Sequence, residues 1–538
     1  MTLQTPYRRW YFWLPALLVV LGVTVPLGYL LARAAQADLA QLDALVWRAR
    51  TWHLFVNTTL LGMGVLAVAT LLAFPLAWLT TRTDLRGRRL LTLLGVLPLA
   101  VPGYVMAYVL LATTGDYGTL ARLTGLGVPR LGGYPGALVA LSLYTFPYLF
   151  LNLRAALAGL DPALEETAQS LGYTPVQVFR RVVLPQLRPA FYAGALLVGL
   201  HVLGDFGVVS LMRFETFSYA LYLQYNASYD RIYAAWLALM LLVMTASVLV
   251  LEARLLRGLL FHRTGAVPAR AAAPAELGAW RWPAYGFAAL LTLAAVALPV
   301  LTVGYWMLHS DAASAWGDLG AALGRSVLAS APAAGVAAVL ALPLAYLSVR
   351  RPSAASRGLE RIAYLGYATP PLAFALALIV FTLATVPAVY QTLGLLVFAY
   401  AMHFLAEAIG PVRSALYQAP PRLEEAARGL GRTPLRAFFA ATFPLLRGGL
   451  LVSVAFVFLS AMKELPLTFL LSPIGFETLA LGVWGYSNEA LFGRAAPYAL
   501  AIILFSAAFV GLLLSQEGGA AKRAGPPAKQ GAALTASG

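Results

Sequence analysis

Asp205 and Glu464 stand out by residue type and position. Each is a carboxylate in an otherwise apolar stretch, 39 residues beyond a glutamate of a charged segment (Glu166 and Glu425). Ionisable groups at membrane depth are costly and usually face a bundle interior or a wet pathway. Hard cations prefer oxygen ligands, so two carboxylates facing one another across a symmetry axis can attract or relay a cation. The other reading is structural: Glu464 pairs with a neighbouring helix or with Lys463, and Asp205 caps a helix break beside Gly204 and Gly207. Glu215 and Glu477, in the related segments Phe214-Glu215-Thr216 and Phe476-Glu477-Thr478, are further pathway candidates. His403 and Glu407 are four apart, a spacing that metal sites use on one helix face. With five histidines and no second such pair nearby, a packed histidine is the expectation, and no residue is assigned to a metal. The absence of cysteine excludes disulfides, thiolate metal sites and cysteine nucleophiles. None of the three lysines lies in a Gly-(four)-Gly-Lys-Ser/Thr setting, so there is no P-loop, and no catalytic residue is assigned.

The elements that hold these residues are membrane spans. Of 538 residues, 60% are hydrophobic and 11% charged, against roughly 25% charged in a soluble domain. A mean hydropathy of +0.77 is equally foreign to disorder. A spanning helix needs about 20 mostly apolar residues. Twelve stretches qualify: 10–32, 58–81, 90–112, 136–153, 191–212, 233–251, 284–308, 326–349, 362–385, 391–409, 450–470 and 497–515. The runs are continuous rather than alternating, so helices and not barrel strands are expected. The first run follows Arg8 and Arg9 like a signal peptide and precedes Ala34-Ala35-Gln36-Ala37. It exceeds the 7–15 residues of a signal core and reads as an uncleaved span.

With the N-terminus in the cytoplasm, 28 Lys and Arg fall in inside segments and nine outside. The positive-inside rule then places both termini in the cytoplasm and accounts for the net charge of +16 without nucleic acid.

The chain repeats itself. At an offset of 259, Glu165-Glu166-Thr167-Ala168, Leu171-Gly172, Thr174-Pro175, Pro185 and Arg188 match Glu424-Glu425-Ala426-Ala427, Leu430-Gly431, Thr433-Pro434, Pro444 and Arg447. At 268, Pro75-Leu76-Ala77 matches Pro343-Leu344-Ala345, and Pro102 matches Pro370. The expected organisation is a first half (1–260), a basic linker (261–283), a second half (284–515) and a flexible cytoplasmic tail (516–538). Six spans per half give both copies one orientation and a symmetry axis along the membrane normal, with a pathway between the halves. Long outer segments at 33–57, 309–325, 213–232 and 471–496 offer surface for a partner.

Within each repeat, at about 161–189 and 420–448, charged and small residues lead to a glycine and then a Thr-Pro pair. That pattern describes a helix–turn–helix outside the membrane. Gly172 and Gly431 suit a left-handed turn, Thr-Pro restarts a helix, and Pro185 and Pro444 redirect the chain into the next span.

Glu-Thr-Ala-(three)-Gly-(nine)-Val-Val-Leu-Pro at 166–185 and Glu-Ala-Ala-(three)-Gly-(nine)-Ala-Thr-Phe-Pro at 425–444 resemble the EAA loop of permease subunits of bacterial ABC importers. Thr167, Ala441 and Phe443 depart from the usual pattern, while the Glu, Gly and Pro positions keep it. The resemblance implies an all-α integral membrane protein of about twelve helices in two six-helix type I importer domains. It implies that Glu166, Ala168, Gly172 and Pro185, with Glu425, Ala427, Gly431 and Pro444, couple the chain to two ATP-binding cassette subunits. ATP and Mg would be used by those subunits and no cofactor would be bound by this chain. An extracytoplasmic solute-binding protein would deliver the cargo, and the site of action would be the bacterial inner membrane.

Lys463-Glu464-Leu465-Pro466-Leu467-Thr468 and Gly475-Phe476-Glu477-Thr478-Leu479-Ala480 resemble the ferric-iron branch most. Thiamine or phosphonate permeases of the same architecture are the alternative. A gradient-driven carrier, also commonly of twelve spans, would have no reason to carry EAA loops.

Overall fold

The structure, a computed structural model, describes residues 10–36, 38, 40, 43–44, 47–227, 231–257, 274–309 and 312–523. Arg8 and Arg9, linker residues 258–273 and the tail from 524 lie outside the described residues. The first half comprises α1 (Trp10–Ala34), α2 (Ala49–Arg82), α3 (Arg88–Val96), α4 (Gly103–Thr113), α5 (Gly133–Gly159), α6 (Pro162–Ser170), α7 (Pro175–Gly204), α8 (Gly207–Leu211), α9 (Phe217–Ala227) and α10 (Arg231–Leu256). The second comprises α11 (Gly278–Leu308), α12 (Ala312–Arg350), α13 (Ala354–Ala368), α14 (Pro371–Thr385), α15 (Leu393–His403), α16 (Leu405–Gln418), α17 (Pro421–Gly429), α18 (Pro434–Met462), α19 (Pro466–Leu471), α20 (Leu479–Asn488) and α21 (Phe492–Arg523). The order repeats, with α15 and α16 together answering to α5.

Eight helices are long and apolar enough to cross a membrane, and three more crossings are bent pairs: α3 with α4 by 93°, α13 with α14 by 103°, and α15 with α16 by 52°. The apolar start of α21, Phe492–Ala508, supplies the twelfth expected span. The chain is thus an all-α membrane protein of two six-span halves. The sharp bends at 90–112 and 362–385 were not expected. Their cause is local, because Pro102 in one half and Pro370-Pro371 in the other lack backbone donors and follow extended residues, Val101 at one bend and Thr369 and Pro370 at the other.

Other boundaries differ for equally plain reasons. α2 and α12 run 34 and 39 residues, roughly 50 and 60 Å at 1.5 Å per residue. They therefore extend through parts of the expected outer segments 33–57 and 309–325, since helix continues past the polar residues that end an apolar run. The spans expected at 191–212 and 450–470 stop at Gly204 and Met462, and short helices restart beyond each break. Pro185 and Pro444 do not redirect the chain. Each sits inside a continuous helix just after a π-helical stretch (Phe179–Val183, Phe438–Thr442), where wider turns absorb the donor that proline lacks. Helix also continues to Arg523, through the first residues of the expected flexible tail.

One apolar core runs through both halves. The halves embrace: α1 packs on α12, α13 and α14 of the second half, and the later part of α11 packs on α4 of the first. Thr113 meets Thr302 at 2.9 Å, and the Trp306 indole donates to the Ala112 carbonyl at 3.3 Å. The end of the linker is tied back to the first half, with Asp84 pairing with Arg281 at 3.3 Å and accepting from the Leu277 amide at 3.1 Å.

Candidate functional site

Two regions hold most of the residues singled out above: a pair of short exposed helices, and a cavity between the halves. The helices are α6 and α17. Asp161 caps α6 by accepting from the Ala163 amide at 3.0 Å. Both helices close in the same left-handed turn, with φ +85° at Gly172 and +81° at Gly431. The Gly172 and Tyr173 amides donate to Gln169 and Ala168 at 2.9 and 3.1 Å; the Gly431 and Arg432 amides donate to Arg428 and Ala427 at 2.9 and 3.2 Å. This paired closure satisfies the last helix carbonyls and demands a residue tolerant of positive φ. A Cβ at either glycine would meet only open space, so backbone conformation and not crowding requires glycine. Thr174 then forms a full capping box with Gln177, whereas Thr433 makes no side-chain cap.

The structure separates the glutamate pairs. Glu166 and Glu425 are exposed. Their neighbours, Glu165 and Glu424, turn inward and fasten the short helices to the long spans. Glu165 faces Arg82 of α2 at 3.0 Å. Glu424, 5% exposed, accepts from Tyr346 of α12 at 2.9 Å and from Thr442 at 3.1 Å, and pairs with Arg428. Sequence reasoning missed this anchoring. Losing an acceptor that satisfies several buried donors costs about 1–3 kcal/mol. Glu424→Ala is therefore expected to lower the unfolding midpoint of the purified protein in detergent, while Glu425→Ala leaves it nearly unchanged. The reverse order would contradict the anchoring role.

The cavity, about 490 Å³, lies where α7, α18 and the bends at 97–103, 368–371 and 403–405 converge. Asp205 and Glu464 both line it. Each follows the end of a long span and holds the start of the next short helix: Asp205 accepts from the Val208 amide at 2.8 Å, and Glu464 from the Leu467 amide at 3.1 Å. Neither is inside a helix, and the capping reading of Asp205 describes its backbone bonds. Capping and facing the cavity coexist, because one carboxylate has lone pairs for both. Glu464 forms no ion pair with Lys463 among those of the described residues. It interacts electrostatically with Asp205 and Glu407, so three carboxylates share this space.

Glu215 and Glu477 do not join them. Both are exposed on the loops beyond α8 and α19, where Glu215 lies 3.7 Å from Arg50. The helix breaks carry the chain past the cavity before these residues occur. His403 and Glu407 both line the cavity but do not share a regular helix face, since the chain bends between them at Phe404. His403 is buried, with Nδ1 bonded to the Gly366 carbonyl at 2.9 Å. Among the described residues no three His, Asp or Glu side chains converge closely enough to hold a metal ion.

The repeat explains the remaining lining. At the offset of 259, Tyr144 answers to His403, Tyr148 to Glu407, and His201 to Ser460. The equivalent pairs touch in both halves with different chemistry: Tyr148 packs on His201 with ring centres 4.3 Å apart, and Ser460 donates to Glu407 at 2.7 Å. At this pair of positions the first half is aromatic and the second carries a carboxylate and a hydroxyl. Sequence reasoning gave the tyrosines no role, although this same offset places them opposite His403 and Glu407. Phe206, Tyr222, Phe469 and Trp484 also pack together across the two halves. Phe206 lies 5.9 Å from Phe469 and 5.7 Å from Trp484 between ring centres, and the Trp484 indole donates to Ser210 at 2.9 Å.

Known proteins share this plan. The family model described as binding-protein-dependent transport system inner membrane component matches twice, at residues 69–260 and 335–516. The Fe(3+)-transport system permease protein FbpB 2 of Haemophilus influenzae is 31% identical over 513 residues, 94% of this chain and 98% of that protein. The sulfate transport system permease protein CysT of Salmonella typhimurium is 32% identical over 196 residues, 36% of this chain and 70% of that protein. The molybdenum transport system permease protein ModB of Escherichia coli is 32% identical over 157 residues, 28% and 69% respectively. Two short helices built alike, two bent spans and one shared cavity are thus the two copies of a single transport module, and the chain belongs to the family of binding-protein-dependent transport system inner membrane components, with both copies of the domain fused in one polypeptide.

Proposed function

We propose that this chain forms the membrane pathway of an ATP-driven importer whose cargo is ferric iron, delivered to the outer face by a solute-binding protein. Two ATPase subunits, using ATP and Mg, seat on α6 and α17. Glu166 and Glu425 face them, and Gly172 and Gly431 set the turn. Both termini and the two short helices are cytoplasmic, as the distribution of Arg supports. ATP-driven closure of the ATPase pair moves α6 and α17, and the long helices α7 and α18 carry that motion to the cavity at their far ends. The shift is powered by the higher affinity of ATP for the closed pair.

The observation that carries the cargo reading is the convergence of Asp205, Glu407 and Glu464 on one cavity between the halves. Carboxylate and phenol oxygens suit a hard cation. The three carboxylates line one cavity without closing on a common point, and conduction needs sites weak enough to leave. An oxyanion would meet three carboxyl groups there against a single lysine, which argues against a sulfate-, molybdate- or phosphonate-like cargo. The full-length relative named for Fe(3+) transport supports the same choice.

The test is reconstitution of the complex in liposomes with its ATPase and candidate binding proteins. Ferric-loaded binding protein should stimulate ATP hydrolysis and drive iron into the lumen, while empty or thiamine-loaded proteins should not. Equal stimulation by a non-metal cargo, with no iron uptake, would overturn the assignment.

A further inference from the structure

Among the described residues Lys463 is the one Lys or Arg lining the cavity, and its placement is unusual. Its counterpart at the offset of 259 is Gly204, so the fold does not require a long side chain at this position. It forms none of the ion pairs found among the described residues. Its Nζ reaches across the boundary between halves to the Leu99 carbonyl at 3.5 Å, the outer limit of a hydrogen bond. Leu99 belongs to the bend between α3 and α4. The ammonium therefore hangs in the cavity, loosely held at one backbone oxygen, with Glu407 its electrostatic partner and Asp205, Glu464 and His201 in the same lining.

A cavity with three carboxylates and no resident cation would admit any small cation by charge alone. A tethered ammonium changes that competition. It is present at high effective concentration and loses little freedom on binding. A monovalent ion would exchange like for like against it and gain nothing. An ion of higher charge gains in proportion to its charge and can displace it. We propose that Lys463 is the selectivity residue of this pathway: a built-in counter-cation that excludes ions of low charge and yields to a highly charged hard cation. This rests on the reading of the cavity as a cation pathway.

The experiment measures passive K+ entry into liposomes carrying the permease assembled with its ATPase, without ATP or binding protein. Three variants separate charge from contact. Lys463→Arg keeps charge and donor, Lys463→Gln keeps a donor for the Leu99 carbonyl but loses the charge, and Lys463→Met loses both. The expected result is entry raised about tenfold or more in the Gln and Met variants alike, with Arg close to the parent, as charge-based discrimination demands. Leak in Met alone would mean that Lys463 pins the halves together, and this would overturn the proposal. Unchanged entry in both neutral variants would overturn it too. If Met fails to assemble, Gln decides. Absence of ATP-driven iron uptake in the parent would count against the cargo assignment and not against this inference, since the leak is read without iron.

Discussion

Replacing Gly172 and Gly431 together by leucine is expected to abolish cargo-stimulated ATP hydrolysis and iron uptake while the membrane bundle stays folded. Both residues hold φ above +80°. That conformation costs a residue bearing a Cβ about 1–2 kcal/mol. The strain falls on the turn that closes α6 and α17, and the new side chains project outward because nothing lies within 4 Å of either Cβ position. They would occupy the face proposed above for the ATPase. Coupling free energies between sites are typically 1–3 kcal/mol. Losing that coupling on both sides of a symmetric machine corresponds to a drop of roughly 100-fold in transport. Single variants should fall between, since the other half retains its intact short helix. The decisive measurements are co-purification of the ATPase with the double variant and its ATP hydrolysis with loaded binding protein. Normal assembly with normal stimulation would show that the turns do not transmit motion.

Asp205→Asn and Glu464→Gln are expected to reduce cation uptake by about tenfold or more each, with stability nearly unchanged. The amide oxygen can still accept from the Val208 or Leu467 amide, so the caps at 2.8 and 3.1 Å survive the substitution. What disappears is one negative charge facing the cavity. At an effective dielectric of 20, a unit pair at 4 Å interacts by about 4 kcal/mol, so one charge lost from a relay of three weakens attraction by more than a tenfold factor. Asp205→Ala would remove cap and charge together and add a stability loss of about 1 kcal/mol. The amide variants therefore separate pathway from cap: unchanged uptake in both would leave the two carboxylates only the structural role. The double variant should lose more than either single one, because the two residues share one cavity.

Much of this architecture is legible without coordinates, for identifiable reasons. The twelve apolar runs correspond to the eight long helices, three bent pairs and the apolar start of α21, because lipid leaves a chain no other way to satisfy its backbone. Gly172 and Gly431 announce their turn, because the left-handed conformation is demanded locally and glycine adopts it at little cost. The duplication is equally visible in sequence, and the family model matches the same two regions. Apolar runs fail to mark where a helix breaks. The stops at Gly204 and Met462 lie inside the expected apolar runs, and the new start is set by a carboxylate bonding amides a few residues ahead.

Two matters were decided by tertiary structure alone. Adjacent helix residues point about 100° apart, so a Glu-Glu pair cannot declare which member faces the bundle until the helix is docked. Docking turned Glu165 and Glu424 toward Arg82 and Tyr346 and left Glu166 and Glu425 outside. The cavity is the second. Asp205 and Glu464 are 259 residues apart and meet Glu407, Lys463 and the tyrosines only because the halves embrace and their spans bend at the same depth. Local propensity writes spans, turns and repeats into the order of residues. The company a charge keeps is written by packing between distant segments.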